Sequence, residues 1–188
     1  MMNAAPEYPP RVEIIDGKTM LMSPRPMLRH HIVAGNIYCI FAEYLDGKLC
    51  APFFGGVDVH LDDKNWFVPD VMIVCNHDII KEDGIYGTPD LVVEVLSPST
   101  MKNDRGPKLR AYAKAGVKEY WLVTPLSRTI EVYLQQDGEL VLDEVYAEHS
   151  AWELEHMDPE DRAAVKMQFK VSLYDDLYVT VADVFQRL

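Results

Sequence analysis

A single α/β (α+β) domain, a mixed sheet flanked by helices, is the fold this sequence predicts, on three observations. Apolar runs of strand length recur at residues 68–75 (V-P-D-V-M-I-V-C), 91–96 (L-V-V-E-V-L) and 120–123 (Y-W-L-V). A helix-forming segment that stops at Gly116 lies between the second and third runs, so those two are expected to be parallel, joined by a right-handed crossover. Asp-Gly steps at Asp16-Gly17 and Asp137-Gly138 sit between short apolar runs, the sequence mark of antiparallel hairpins. With 188 residues, 48% of them apolar and 26% charged, the chain is long enough for one domain with a core of its own.

Residues 1–10 carry three prolines and no periodicity and read as an arm. Residues 11–22 form the N-terminal β-hairpin about Asp16-Gly17. From residue 27 to 46, Val33, Ile37, Ile40, Phe41 and Tyr44 fall at helical spacing, with Gly47 as the stop. Residues 50–61 and 66–75 read as antiparallel neighbours. The polar, glycine-containing stretch 77–89 reads as an exposed loop suited to substrate approach. Residues 97–106 are another loop, after which Pro107 suits the first position of a helix over 108–115. Residues 128–134 and 140–146 make a second hairpin, residues 147–170 form an acidic, solvated insertion, and a last strand at 178–181 leads into a terminal helix.

Charge and cysteine content narrow the function. A net charge of −12 argues against indiscriminate adhesion to phosphate-rich surfaces, so any nucleic-acid site must be locally basic. Cys39, Cys50 and Cys75 contain no C-x-x-C and are expected to be reduced thiols in a cytoplasmic protein without a zinc site. No signal core or membrane-spanning run is expected from the residues present. No H-E-x-x-H, G-x-S-x-G or phosphate-binding glycine loop appears.

Two carboxylates break the apolar runs. Asp70 and Glu94 each stand where the pattern calls for a hydrophobic residue. A buried carboxylate costs several kcal/mol unless cations or donors meet it, and a hard divalent metal is the economical shared partner. Asp104, Lys108 and Tyr112 recur every four residues and share a face if their helix begins early. The plainer alternatives are turn chemistry for Asp70, a buried ion pair for Glu94, an N-cap or local salt bridge for Asp104, and a surface lysine for Lys108. Asp90 reads as a turn residue, and His31 as pointing away from its neighbour's face.

M-S-P-R-P followed by His30, V-P-D-V, P-D-L-V-V-E-V-L-S-P-S-T, D-R-G-P-K-L-R-A-Y and G-V-K-E-Y-W-L-V occur in this order over residues 11–135. In these pieces the chain resembles the Uma-type restriction-endonuclease-like family, a branch of the PD-(D/E)XK nuclease superfamily. The resemblance implies a restriction-endonuclease-like mixed sheet and a Mg²⁺- or Mn²⁺-dependent endonuclease acting on DNA. It implies Asp70 and Glu94 on adjacent strands as metal ligands. It further implies a catalytic lysine, usually two residues beyond the glutamate. Leu96 occupies that position here, and Lys108 from the following helix is the candidate replacement. His30, Asp104 and Tyr112 are expected to support the site, with a helix-terminal structural role as the alternative for His30. A homodimer would suit the cutting of both strands. Two rivals differ in class: an inactive nuclease-fold binding or assembly protein, and a nuclease for RNA or branched DNA. A basic strip of Arg25, Arg29, Lys102, Arg105, Lys108 and Arg110 would favour the nuclease readings.

Overall fold

The structure, a computed structural model, describes residues 12–21 and 27–188; the predicted arm, Arg25 and the end of the first hairpin lie outside these. β1 (Val12–Ile15) and β2 (Lys18–Leu21) pair antiparallel about Asp16-Gly17, both residues at positive φ as the tight two-residue turn requires. α1 (Leu28–Leu45) follows and buries Val33, Ile37, Phe41 and Leu45.

The two antiparallel segments expected at 50–61 and 66–75 each split between two sheets. β3 (Ala51–Phe54) pairs with β6 (Val71–Val74) in one sheet, while β4 (Val59–Asp62) pairs with β5 (Asn65–Phe67) in another. The predicted loop 77–89 contains β7 (Ile85–Tyr86), which runs parallel to β4. Gly84 permits that approach, because a Cβ there would lie 2.8 Å from the Asp58 carbonyl oxygen.

β8 (Leu91–Val95) and β9 (Glu119–Thr124) are parallel, as the crossover rule predicts. Between them the helix starts earlier than expected. α2 (Met101–Asn103) passes into a widened π turn, Asp104–Lys108, which continues as α3 (Leu109–Ala115). Pro107 therefore sits inside the helical run and not at its first position. A proline lacks the N–H and crowds the carbonyl four residues back, and a π turn relieves both by local widening. The Tyr120 hydroxyl donates to the Asp104 carbonyl at 3.1 Å and ties the widened turn to β9.

β10 (Thr129–Gln136) and β11 (Glu139–Ala147) form the second hairpin. The acidic stretch folds as two short exposed helices, α4 (Ala151–His156) and α5 (Pro159–Ala164). It gives way before β12 (Gln168–Lys170), where Phe169 is buried against Trp121 and Tyr146. β13 (Tyr178–Thr180) pairs with β12 and leads into α6 (Val181–Phe185).

The large sheet has the order β11-β10-β9-β8-β6-β3 and the smaller one β2-β1-β5-β4-β7. Because successive strand residues face opposite ways, the large sheet carries two cores. Val71, Ile73, Leu91, Val93, Val95, Trp121 and Val123 pack with α1 and α6. Met72, Val74, Val92, Leu96, Tyr120 and Leu122 pack with α3 residues and with Ile15, Val59 and Phe67 of the smaller sheet.

Glu119, fully buried on the α1 side, accepts from Trp121 Nε1 and the Ser172 backbone N–H, each at 2.6 Å, and from the Ser172 hydroxyl. It anchors the C-terminal segment to β9. Glu119→Ala is expected to lower unfolding stability in urea by about 2–4 kcal/mol, since it strands buried donors, and Glu119→Gln by less.

Cys50 and Cys75 are joined in a disulfide, against the expectation of reduced thiols, while Cys39 is free and exposed. The reason is register: Ala51 pairs with Val74, which places the two cysteines opposite each other one step further along. The cytoplasmic reading, which rested on reduced thiols, loses that support. Among the described residues no helix is long and apolar enough to cross a membrane.

Candidate active site

Strand register brings the two carboxylates together. β6 and β8 pair as Val71 with Val93 and Met72 with Val92, so the next step sets Asp70 opposite Glu94. Alternation puts Glu94 on the face that carries Met72, Val92 and Leu96, under α3, while Asp70, just before β6, sits at the strand end where α1 also reaches. Directly opposed strand residues have Cβ atoms about 4.5–5.5 Å apart, close enough for one partner to serve both.

Lys108 reaches this point from the π turn. Its Nζ lies 2.6 Å from Glu94 Oε1, 3.0 Å from Glu13 Oε1 and 3.4 Å from Asp104 Oδ1. It is only 3% exposed, so it is no surface lysine, and it fills from the helix the place beside Glu94 that Leu96 leaves apolar. Asp104 is not an N-cap: it lies within the helical run, buried and paired to Lys108. The Tyr112 hydroxyl donates to Glu94 Oε1 at 3.1 Å. Asp104, Lys108 and Tyr112 thus share the face their spacing implied.

Asp70 is the more open carboxylate, with its side chain 22% exposed. Its Oδ2 accepts the Val95 backbone N–H at 2.7 Å and lies 3.1 Å from His30 Nε2 in the first turn of α1. The contacts to Asp70 fall on Oδ2 and those to Glu94 on Oε1, so each carboxylate keeps an oxygen outside these bonds. His30 Nδ1 is buried with no hydrogen-bond partner among the described residues. Asp90 binds the Cys75 N–H and Lys118 and stands apart from this cluster, while His31 is exposed.

Glu13 is the residue that sequence reasoning missed. It is buried on β1, accepts the Val68 N–H at 3.0 Å, and pairs with Lys108 from 95 residues away. A weak signal exists, since Glu13 is two residues before Ile15 and shares its inward face.

Proton affinities follow from this crowding. Burial pushes the Glu94 carboxyl well up; Lys108 opposes this, and Asp104, Asp70 and Glu13 add to it. Burial also raises Asp104 against the pull of Lys108. Burial alone would lower the Lys108 ammonium, but Glu94, Asp104 and Glu13 outweigh it and hold it well above its usual value. The first proton of the cluster therefore stays on Lys108, and on acidification Glu94 takes one earlier than an ordinary glutamate. Burial opposes the charged form of His30, yet its bond to Asp70 prevails and its pKa is raised.

Two carboxylates side by side are a hard oxygen donor set of the kind Mg²⁺ accepts, since that ion keeps several waters and needs few protein ligands. Among the described residues no group of three or more His, Cys, Asp or Glu side chains is placed to hold a metal ion.

The anticipated basic strip is broken up. Lys108 is buried in the carboxylates, Arg105 is paired with Glu131, and Arg110 lines a cavity with Lys64, Lys114 and three aspartates.

The family model described as "Uma2: Putative restriction endonuclease" matches residues 3–166. The uncharacterized protein slr1290 of Synechocystis sp. is 33% identical over 129 residues, covering 66% of this chain and 66% of that protein. The fold is similar to that of a crystal structure described as "a putative nuclease belonging to DUF820 from Anabaena variabilis", with a TM-score of 0.70 and 22% identity, covering 96% of this chain and 93% of the other.

Proposed function

Because the chain belongs to the Uma2 putative restriction endonuclease family, we propose that it is an endonuclease that hydrolyses phosphodiester bonds in DNA with Mg²⁺ or Mn²⁺. The observation that carries this reading is the opposition of Asp70 and Glu94 with a buried, protonated Lys108 at 2.6 Å from the second. Asp70 and Glu94 are the residues that would hold the ion. Bound there, it would polarise the scissile phosphate and lower the pKa of an attacking water.

The chain's own groups do the rest. Lys108 supplies positive charge beside the phosphate as negative charge builds on it, and Tyr112, Glu13 and Asp104 fix where that ammonium and the Glu94 carboxylate sit. His30 orients Asp70 through its Nε2 contact, which favours the charged imidazole. Two copies acting together would cut both strands of a duplex.

The rival reading, an inactive binding protein on the same fold, draws on the apolar Leu96 at the usual lysine position and on the engagement of Lys108 by three carboxylates. Calorimetric titration of Mn²⁺ between pH 5 and 8 separates the two. Glu94 must be ionised to bind, and its pKa is raised, so affinity should fall on acidification already above the ordinary carboxylate range. Uptake of Mn²⁺ that is abolished by Asp70→Asn supports the nuclease, whereas no uptake at any of these pH values supports the rival.

A further inference from the structure

At the start of α1 lies a further concavity, of about 520 Å³. It is lined by Met27, Leu28, Arg29 and Ile32 of the α1 start, Pro125, Leu126 and Arg128 of the β9–β10 turn, and Arg187 with Leu188. Every charged side chain in that lining is an arginine, and they come from three separate segments of a chain with a net charge of −12. Arg29 and Arg187 have no ion-pair partner among the described residues.

Its position follows from topology. Val95, whose N–H binds Asp70, pairs with Val123, and the Leu96 N–H donates to the Val123 carbonyl at 2.8 Å. Two residues later the β9 chain supplies Pro125, so the groove lies at the C-terminal ends of β8 and β9 on the α1 side of the sheet, across that edge from Glu94 and Lys108 on the α3 side. Arg29 precedes His30, the α1 residue that touches Asp70. The α1 start, which carries no side-chain cap, thus borders both places and adds the positive end of an 18-residue helix.

We infer that this groove binds the phosphates of the DNA strand on one side of the scissile bond, with Arg29 and Arg187 as the principal contacts. The inference rests on the nuclease reading and adds to it a path for the substrate. A strand bound for cleavage has to continue away from the reacting phosphate, and successive phosphates of a duplex strand advance only about 3.4 Å along the axis. Arg128 is already engaged, through Nη1 with Glu148 at 2.6 Å and through Nη2 with a main-chain oxygen of Leu188 at 3.1 Å. It shapes the groove more than it neutralises. The apolar surfaces of Leu28, Leu126 and Ile32 offer contact to sugars without reading bases, in keeping with positioning by backbone phosphates.

The test is duplex binding without cutting, in Glu94→Gln protein, followed by fluorescence anisotropy from about 50 to 200 mM salt, a range over which phosphate contacts dominate the change in affinity. Adding Arg29→Ala and Arg187→Ala is expected to flatten the slope of log affinity against log salt by about two, one per lost phosphate contact. A control pair, Lys64→Ala with Lys114→Ala, removes the same charge from the other cavity and should leave the slope unchanged. Equal losses in both pairs would reduce the effect to net charge and overturn the inference. An unchanged slope in the arginine pair, with firm binding by the Glu94→Gln parent, would overturn the groove and leave the nuclease reading standing. No duplex binding by the parent together with no cutting by the unmodified protein would remove both.

Discussion

Lys108→Met should lower unfolding stability by about 3–5 kcal/mol, the range for removing one partner from a buried ion pair. Where the variant is still folded, its cleavage rate should fall by about 10²–10³. The size of the stability loss follows from what surrounds the ammonium. Glu94, Asp104 and Glu13 all lie within 3.4 Å of Nζ, and Lys108 is the common cation for all three. Without it the buried carboxyls must protonate or repel, so the variant should regain stability as pH falls from neutrality toward 5. The wild type has the opposite sign at this group. The pKa of Lys108 is raised on folding, so its contribution is complete below the ordinary lysine value and is lost only in strong alkali, as pH rises through the folded value. Urea denaturation of both proteins at several pH values measures this directly. Adding Glu13→Gln to Lys108→Met should recover part of the stability, because one of the stranded carboxylates is gone.

Glu94→Gln should show the reverse division, with cleavage reduced at least about a thousandfold, equivalent to about 4 kcal/mol of barrier, and stability nearly unchanged. The amide keeps an oxygen for the Tyr112 hydroxyl and removes a carboxylate that burial already disfavours. Lys108 retains Glu13 and Asp104 as counterions. A large rate loss at constant stability marks a residue that acts on the substrate or its ion, whereas Lys108→Met mixes both roles. The two variants therefore read the site from different sides.

The parts of this site that are legible in the sequence are those whose chemistry conflicts with their surroundings. Asp70 and Glu94 stand out because each interrupts an apolar run, and Asp104, Lys108 and Tyr112 because a four-residue spacing survives the π turn well enough to keep one face. Strand and hairpin positions are legible for the same local reasons: Asp-Gly turns, alternation, and a crossover whose handedness is fixed. What is hidden depends on register between distant segments. Glu13 meets Lys108 only because β1 pairs with β5 and lays its inward face against the helix, a fact no local window contains. The same holds for Glu119, whose donors come partly from Ser172, and for the pairing of Cys50 with Cys75. Pro107 misleads for another reason: the preference for a first-turn proline is a local average, and a widened turn lets the helix run through it.

The measurement that bears most directly on the account is incubation of supercoiled plasmid with Mg²⁺, Mn²⁺ or EDTA, comparing the unmodified protein with Glu94→Gln at matched folded fractions. The account predicts nicking that requires the metal and disappears in the variant. Intact plasmid with folded unmodified protein in either metal, or cutting that persists in EDTA or in Glu94→Gln, would contradict it.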